Sequence, residues 1–333
     1  MQLARKMPVL LFIFVLLLAS MVPTTFAKTE PTDVDDIALL EEFYTLTKDE
    51  EGLESLEEMD SEKSSLRSED DSKYLQTQIK FFTVTEEDGE YQMQPLEEAL
   101  EEIKKERDAV SADDFTTNRV DMIGLRMGNY VEGKKIYYDA WLDYYKGEKP
   151  SSVDIDGSIQ NATSRYNTSY DTITKIRGVA RYKEKVTASA PINSTYFWRG
   201  NATGEVVYKD GTPNSATVSL SPILLNKKGE PYPEYDGLDE PEKTNWKKVD
   251  KSKRVSWTNK ERNEYKDWYW NNVDANFDFN GYEIHHIRPR AYGGTNDPSN
   301  LIPLPRKFHR GEVSPWFTNY GSDADPCDDE VTE

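Results

Sequence analysis

The sequence predicts an α+β chain, and three observations predict it. Acidic residues crowd the first part of the chain, where apolar residues recur at helical spacing; a Thr, Ser, Asn, Val and Tyr-rich stretch with the marks of short strands follows; and all 3 histidines fall late, in a segment that reads as strand, loop, strand and helix. The expected layout is a leader at 1–27, an acidic, mainly helical region at 28–150, and a mixed region with short strands and a linker at 151–240. A compact region at 241–320 and an acidic tail at 321–333 complete it.

Residues 1–27 read as a signal peptide. Arg5 and Lys6 form a basic start, Val9 to Val22 an apolar run that is short for a bilayer crossing, and Thr25-Phe26-Ala27 a cleavage site with small residues at the inspected positions. The expectation is a bacterial protein that is secreted or held at the cell surface, with no stable membrane span after cleavage. The single cysteine, Cys327, can form no internal disulfide.

In 28–150, Asp36 to Tyr44 and Pro95 to Val110 read as helices. The second has Pro95 in its first turn, acids near the positive end of the dipole, and Leu96, Leu100 and Ile103 at i, i+4, i+7. Arg119 to Tyr145 reads as one long helix, or two broken near Gly128 or Gly133, with Met122, Leu125, Met127, Tyr130, Ile136, Tyr137 and Trp141 on a packing face. In 151–240, Gly204 to Tyr208 and Ala216 to Leu220 read as strands around the turn Asp210-Gly211-Thr212-Pro213.

At 36% hydrophobic, 12% aromatic and 31% charged, the 333 residues exclude a fibrous chain, a multi-span membrane protein and wholesale disorder. The formal net charge of -20 argues against an anionic partner only until it is located. Residues 28–120 hold 29 acidic and 10 basic side chains, whereas 241–320 hold 14 basic and 10 acidic, so a polyanion has somewhere to dock. That late region interleaves Lys and Arg with Trp246 and Trp257, then forms a helix over Glu261 to Trp270 whose aromatics suit a small core.

The chemistry concentrates between Gly281 and Gly311. Tyr282 to Ile287 can be a strand, Pro289 to Ser299 is loop material carrying Gly293-Gly294 and Asp297-Pro298, and Leu301 to Leu304 can be a second strand. Pro305-Arg306 starts a helix that holds His309 in its first turns. In a strand His285 and His286 point to opposite sides, so they should have different roles. Arg288, Arg290, Arg306 and Arg310 flank the group and could grip phosphates as substrate-binding residues.

These residues, His285-His286, Ile287, Pro289, Gly293-Gly294, Asn300-Leu301 and His309, resemble the HNH nuclease superfamily, the beta-beta-alpha metal nucleases, and especially the His-His variants found in bacterial secreted and toxin nucleases. The resemblance covers about an eighth of the chain. It implies a C-terminal beta-beta-alpha metal nuclease domain in which His285 and His309 ligate one divalent ion (Mg, Mn, Zn or Ni). It assigns His286 as the general base and Asn300 as the residue that steadies the base through the loop. Some toxin relatives carry a further histidine ligand four residues after the last one; here that position is Val313. The implied activity is endonucleolytic hydrolysis of nucleic acid, with DNA favoured as partner and an immunity protein as a second partner if the protein acts as a toxin. The competing expectation is a non-catalytic secreted envelope or binding protein that retains a decayed HNH fold.

Overall fold

Strands, not helices, organise this chain. A computed structural model describes residues 72–322, apart from 88–89, 97, 102–120, 148 and 209–212. In order come β1 (Gln76–Glu87), β2 (Glu90–Pro95), β3 (Asp121–Glu132), β4 (Lys135–Lys146), β5 (Ser152–Ala162), β6 (Asp171–Ala180), β7 (Val186–Pro191), β8 (Tyr196–Val207), β9 (Pro213–Ser219) and β10 (Ile223–Leu225). Helix α1 (Asn259–Asn272) and strands β11 (Tyr282–His286) and β12 (Leu301–Pro305) follow. A last helical run comprises α2 (Arg306–Phe308), a wider π-type turn (His309–Val313) and α3 (Ser314–Thr318).

The first ten strands form two antiparallel sheets. One has the order β2-β1-β3-β4-β7, and the other the order β10-β8-β5-β6 with β9 added to β8. They bury a common core between them, with Leu125 and Met127 of β3, Tyr138 and Leu142 of β4 and Ile155 of β5 all fully buried. Burying a side chain of this kind contributes roughly 1.5–3 kcal/mol.

This arrangement overturns the expected α+β layout of a mainly helical acidic region followed by a separate beta-beta-alpha domain. The segment Arg119 to Tyr145, read as helical, supplies β3 and β4, paired from Met122 opposite Lys146 to Glu132 opposite Lys135. The connection is a tight turn with Gly133 at φ 59°, a conformation glycine adopts without steric cost. The helical reading failed because β4 is buried on both faces, so the alternation that marks a strand is missing. Ile136, Tyr138, Ala140 and Leu142 face the core. On the other face Asp143 takes Arg126 Nε at 2.8 Å and Lys183 Nζ at 2.7 Å and also accepts the Trp141 indole N–H. Residues 96 and 98–101 are helical, and Leu96 and Leu100 pack on Phe81 and Met122. The expected leader at 1–27, the helix at 36–44, Ile103 and the tail beyond 322 lie outside the described residues.

The third sheet is the pair β11-β12, antiparallel, with His286 opposite Leu301 and His285 opposite Ile302. It does not stand apart from the sandwich. Ala162 of β5, Phe197 of β8 and Leu224 of β10 share one buried cluster with Tyr292, Leu304, Val313, Trp316, Phe317 and Tyr320. Among the described residues no helix is long and apolar enough to cross a membrane.

Candidate active site

The alternation of β11 divides its histidines. Glu283 and His285 project towards the last helical run, while Ile284 and His286 project towards α1 and Trp257. The contacts follow that division: His285 meets His309 and Phe317, whereas Ile284 joins Trp257, Tyr265 and Leu301 in a small cluster and His286 meets Trp257.

On the first side, Nδ1 of His285 lies 3.1 Å from Nε2 of His309. His309 sits at the start of the π-type turn, an irregularity that recurs at functional sites. Its other nitrogen, Nδ1, lies 2.9 Å from Oε2 of Glu283. An ionised carboxylate can only accept, so His309 carries its proton on Nδ1 and its lone pair on Nε2, aimed at His285. Two lone pairs do not face each other at that distance, so the two rings share either a proton or a cation.

Two nitrogens each about 2.1 Å from one ion stand about 3.0–3.4 Å apart in octahedral or tetrahedral geometry. The separation seen here therefore fits a common metal ion, and the carboxylate behind His309 is the outer support that metal-binding histidines usually have. Among the described residues no group of three or more His, Cys, Asp or Glu side chains is placed to hold a metal, so of these residues the pair alone would be offered.

Glu283 is itself heavily engaged. Arg310 pairs with it through Nε at 2.9 Å and through Nη2, and Arg306 approaches Oε1 at 3.4 Å. Partial burial opposes ionisation of this carboxyl, but the bonds and charges of Arg310 and His309 outweigh it and hold the pKa below the usual range.

On the other side, Nε2 of His286 lies 3.0 Å from Oδ1 of Asn296. The orientation of that amide is fixed from behind, because Asn296 Nδ2 donates to the backbone carbonyl of Ser256 at 2.9 Å. A carbonyl only accepts, so Oδ1 must face the imidazole and His286 must carry its proton on Nε2. The lone pair is then on Nδ1. Trp257 meets the ring edge-on at 4.5 Å between centroids, and His286 is fully buried.

Asn300 acts on the loop between the strands. Its Oδ1 accepts the Arg288 amide at 2.8 Å, and its Nδ2 donates to the carbonyls of Thr295 at 2.8 Å and Arg288 at 3.2 Å. Gly293 has φ 81°, and a Cβ on Gly294 would collide with the Arg288 carbonyl, so the glycine pair is what lets the loop fold back onto Asn300. That closure carries Asn296 to His286.

The four arginines read from the sequence are placed as follows. Arg288 donates through Nε to Tyr292 O at 2.7 Å and lies over Trp246; Arg290 donates to Val255 O at 3.1 Å. Arg306 and Arg310 both lie on Glu283. Sequence reasoning missed Glu283, Asn296 and Ser256, and named Trp257 only as one of the aromatics among the basic residues. The signal for Glu283 was its i, i−2 relation to His285 on one strand face; Asn296 and Ser256 carried none.

Compared with protein-family models, curated proteins and solved structures, the chain matches none of them.

Proposed function

We propose that the protein is a metal-dependent endonuclease that hydrolyses phosphodiester bonds of nucleic acid, with DNA the favoured substrate, acting outside the cytoplasm after export through residues 1–27. The single observation that supports this reading is the approach of His285 Nδ1 and His309 Nε2 to 3.1 Å, with Glu283 behind one ring. His285 and His309 are the residues that would hold a divalent ion, which when bound neutralises charge on the phosphoryl oxygens and the leaving oxygen.

The remaining work falls to the chain's own groups. His286 takes the proton of the attacking water at Nδ1, since Asn296 holds the ring's own proton on Nε2. Trp257 covers this base and limits its exposure to bulk water. Asn300 and the glycine pair keep the loop closed so that Asn296 stays in place. Arg306 and Arg310, exposed beside Glu283, are within reach of a phosphate drawn to the pair.

The test is plasmid cleavage by the purified full chain with EDTA, and with Mg, Mn, Zn or Ni restored, beside a His286→Ala control. Cleavage that EDTA stops and that the control lacks is the expected result. No cleavage of DNA or RNA with any of these metals would leave the non-catalytic binding reading in its place.

A further inference from the structure

Next to the histidine pair lies a cleft of about 830 Å3, walled by Glu283 and His309 and by Trp257. Its remaining charged lining is cationic: Lys228, Arg262, Lys266 and Arg310. Arg310 is neutralised by Glu283, the only acid in that lining. The other three are not paired with any carboxylate among the described residues. In a chain of formal charge -20, three uncompensated cations around one cleft are a local reversal of the protein's sign.

Two of the cations rest on aromatic rings, and the third stands on a clamped turn. Arg262 and Lys266 are one turn apart on α1 and so share a face. The Arg262 guanidinium lies 5.5 Å from the centre of the Trp257 ring, and Lys266 Nζ lies 5.4 Å from that of Phe279. Lys228 comes from the sandwich, on the turn after β10, and this turn is clamped. Fully buried Asn226 accepts the amides of Lys228 at 2.9 Å and Glu230 at 3.1 Å, and donates to Glu230 Oε2 at 2.7 Å and to the Trp316 carbonyl. The sandwich and α1 thus both present positive charge to one cleft that also exposes aromatic walls.

We propose that this cleft is the track for the nucleic-acid backbone, with Lys228, Arg262 and Lys266 each taking a phosphate of the strand whose scissile bond reaches the histidines. The ligand is a phosphodiester backbone, recognised by charge and not by base edges. Acidic side chains more than about 8 Å from the cleft are largely screened at physiological ionic strength. This inference rests on the nuclease reading above and extends it to residues outside the histidine segment.

The experiment measures binding of a labelled mixed-sequence DNA duplex, and of the corresponding single strand, to full-length His286→Ala protein across a salt series. Lys228→Gln, Arg262→Gln and Lys266→Gln are added singly and together, and Lys175→Gln on exposed β6 provides the same charge change elsewhere. Each cleft substitution is expected to lower the slope of log K against log salt by about one, and the three together by about three, with similar losses on unrelated sequences. Lys175→Gln should leave the slope unchanged. If the His286→Ala protein binds and the wild type cleaves, but the cleft variants behave like Lys175→Gln, the track is wrong and the nuclease reading stands. If neither protein binds or cleaves any nucleic acid, the nuclease reading fails and takes this inference with it. Unchanged thermal midpoints for the variants exclude loss of folding as the cause.

Discussion

Oε2 of Glu283 stands 2.9 Å from Nδ1 of His309, and this contact decides which nitrogen of the helical imidazole faces the strand. Removing the carboxylate frees the ring to rotate and to change tautomer. Glu283→Ala should therefore weaken binding of Zn or Ni by about 10- to 100-fold, measured by competition with a chromophoric chelator. Glu283→Gln keeps an acceptor and should lose less. Equal affinity in all three proteins would remove Glu283 from the centre.

Asn296 should behave as a positioning residue. Asn296→Ala is expected to lower kcat by up to about 100-fold with little change in KM, a part of what a positioned base supplies. Asn296→Asp, which still offers an acceptor to Nε2, should recover most of that loss. Nitrogen NMR gives a reading independent of activity: His286 should appear as the Nε2–H tautomer in the wild type and as a mixture in Asn296→Ala. A wild-type ring protonated on Nδ1 would contradict the hydrogen-bond assignment.

The glycine pair bears on stability as well as on the site. Gly294→Ala places a methyl group into the Arg288 carbonyl and should cost about 2 kcal/mol or more, since backbone cannot yield there as a flexible side chain could. Gly311→Ala, where a Cβ meets nothing, is the control and should be near neutral. Denaturant unfolding of the two variants compares them directly.

Helix α1 opens with a reciprocal cap that can be followed by pH. Thr258 accepts the Lys260 amide at 3.2 Å, while Glu261 accepts the Thr258 amide at 2.7 Å and its hydroxyl at 2.6 Å. These bonds, the Thr258 hydroxyl first, lower the Glu261 pKa to about 2. A depressed carboxyl stabilises the folded state fully above its unfolded pKa and loses that contribution as pH falls through the folded value. The window for Glu261 is thus from about 4.5 down to about 2. Thr258→Ala should move the Glu261 midpoint upward in a carbon NMR titration; an unmoved midpoint would mean that the cap is not formed in solution.

Residue type and order made the histidines legible, and the loop material of 289–299 between two short apolar stretches made β11 and β12 legible with them. What failed was the reading of 119–145. In β4 the residues Asp139, Trp141 and Asp143 are as buried as the apolar residues between them, because Arg126 and Lys183 neutralise Asp143, while Lys73 and the hydroxyls of Tyr74 and Thr187 meet Asp139. Compensated charge looks like a polar helix face until the partner strand is known. Glu283 was hidden differently, as one of 61 acidic residues whose i, i+2 relation to His285 gains meaning only when the last helical run brings His309 against that face of β11. Arg262 and Lys266 were visible as basic residues, but their direction depends on the rings of Trp257 and Phe279, one of them outside the helix on each side.

Phe197 and Leu224 belong to the sandwich, yet they pack in the same cluster as Trp316 and Phe317, and Phe317 lies against His285. The alignment of His285 is consequently tied to strands that lie outside the histidine segment. A break or a misfolded strand in the sandwich would therefore shift Phe317 and the imidazole of His285 beside it without touching either.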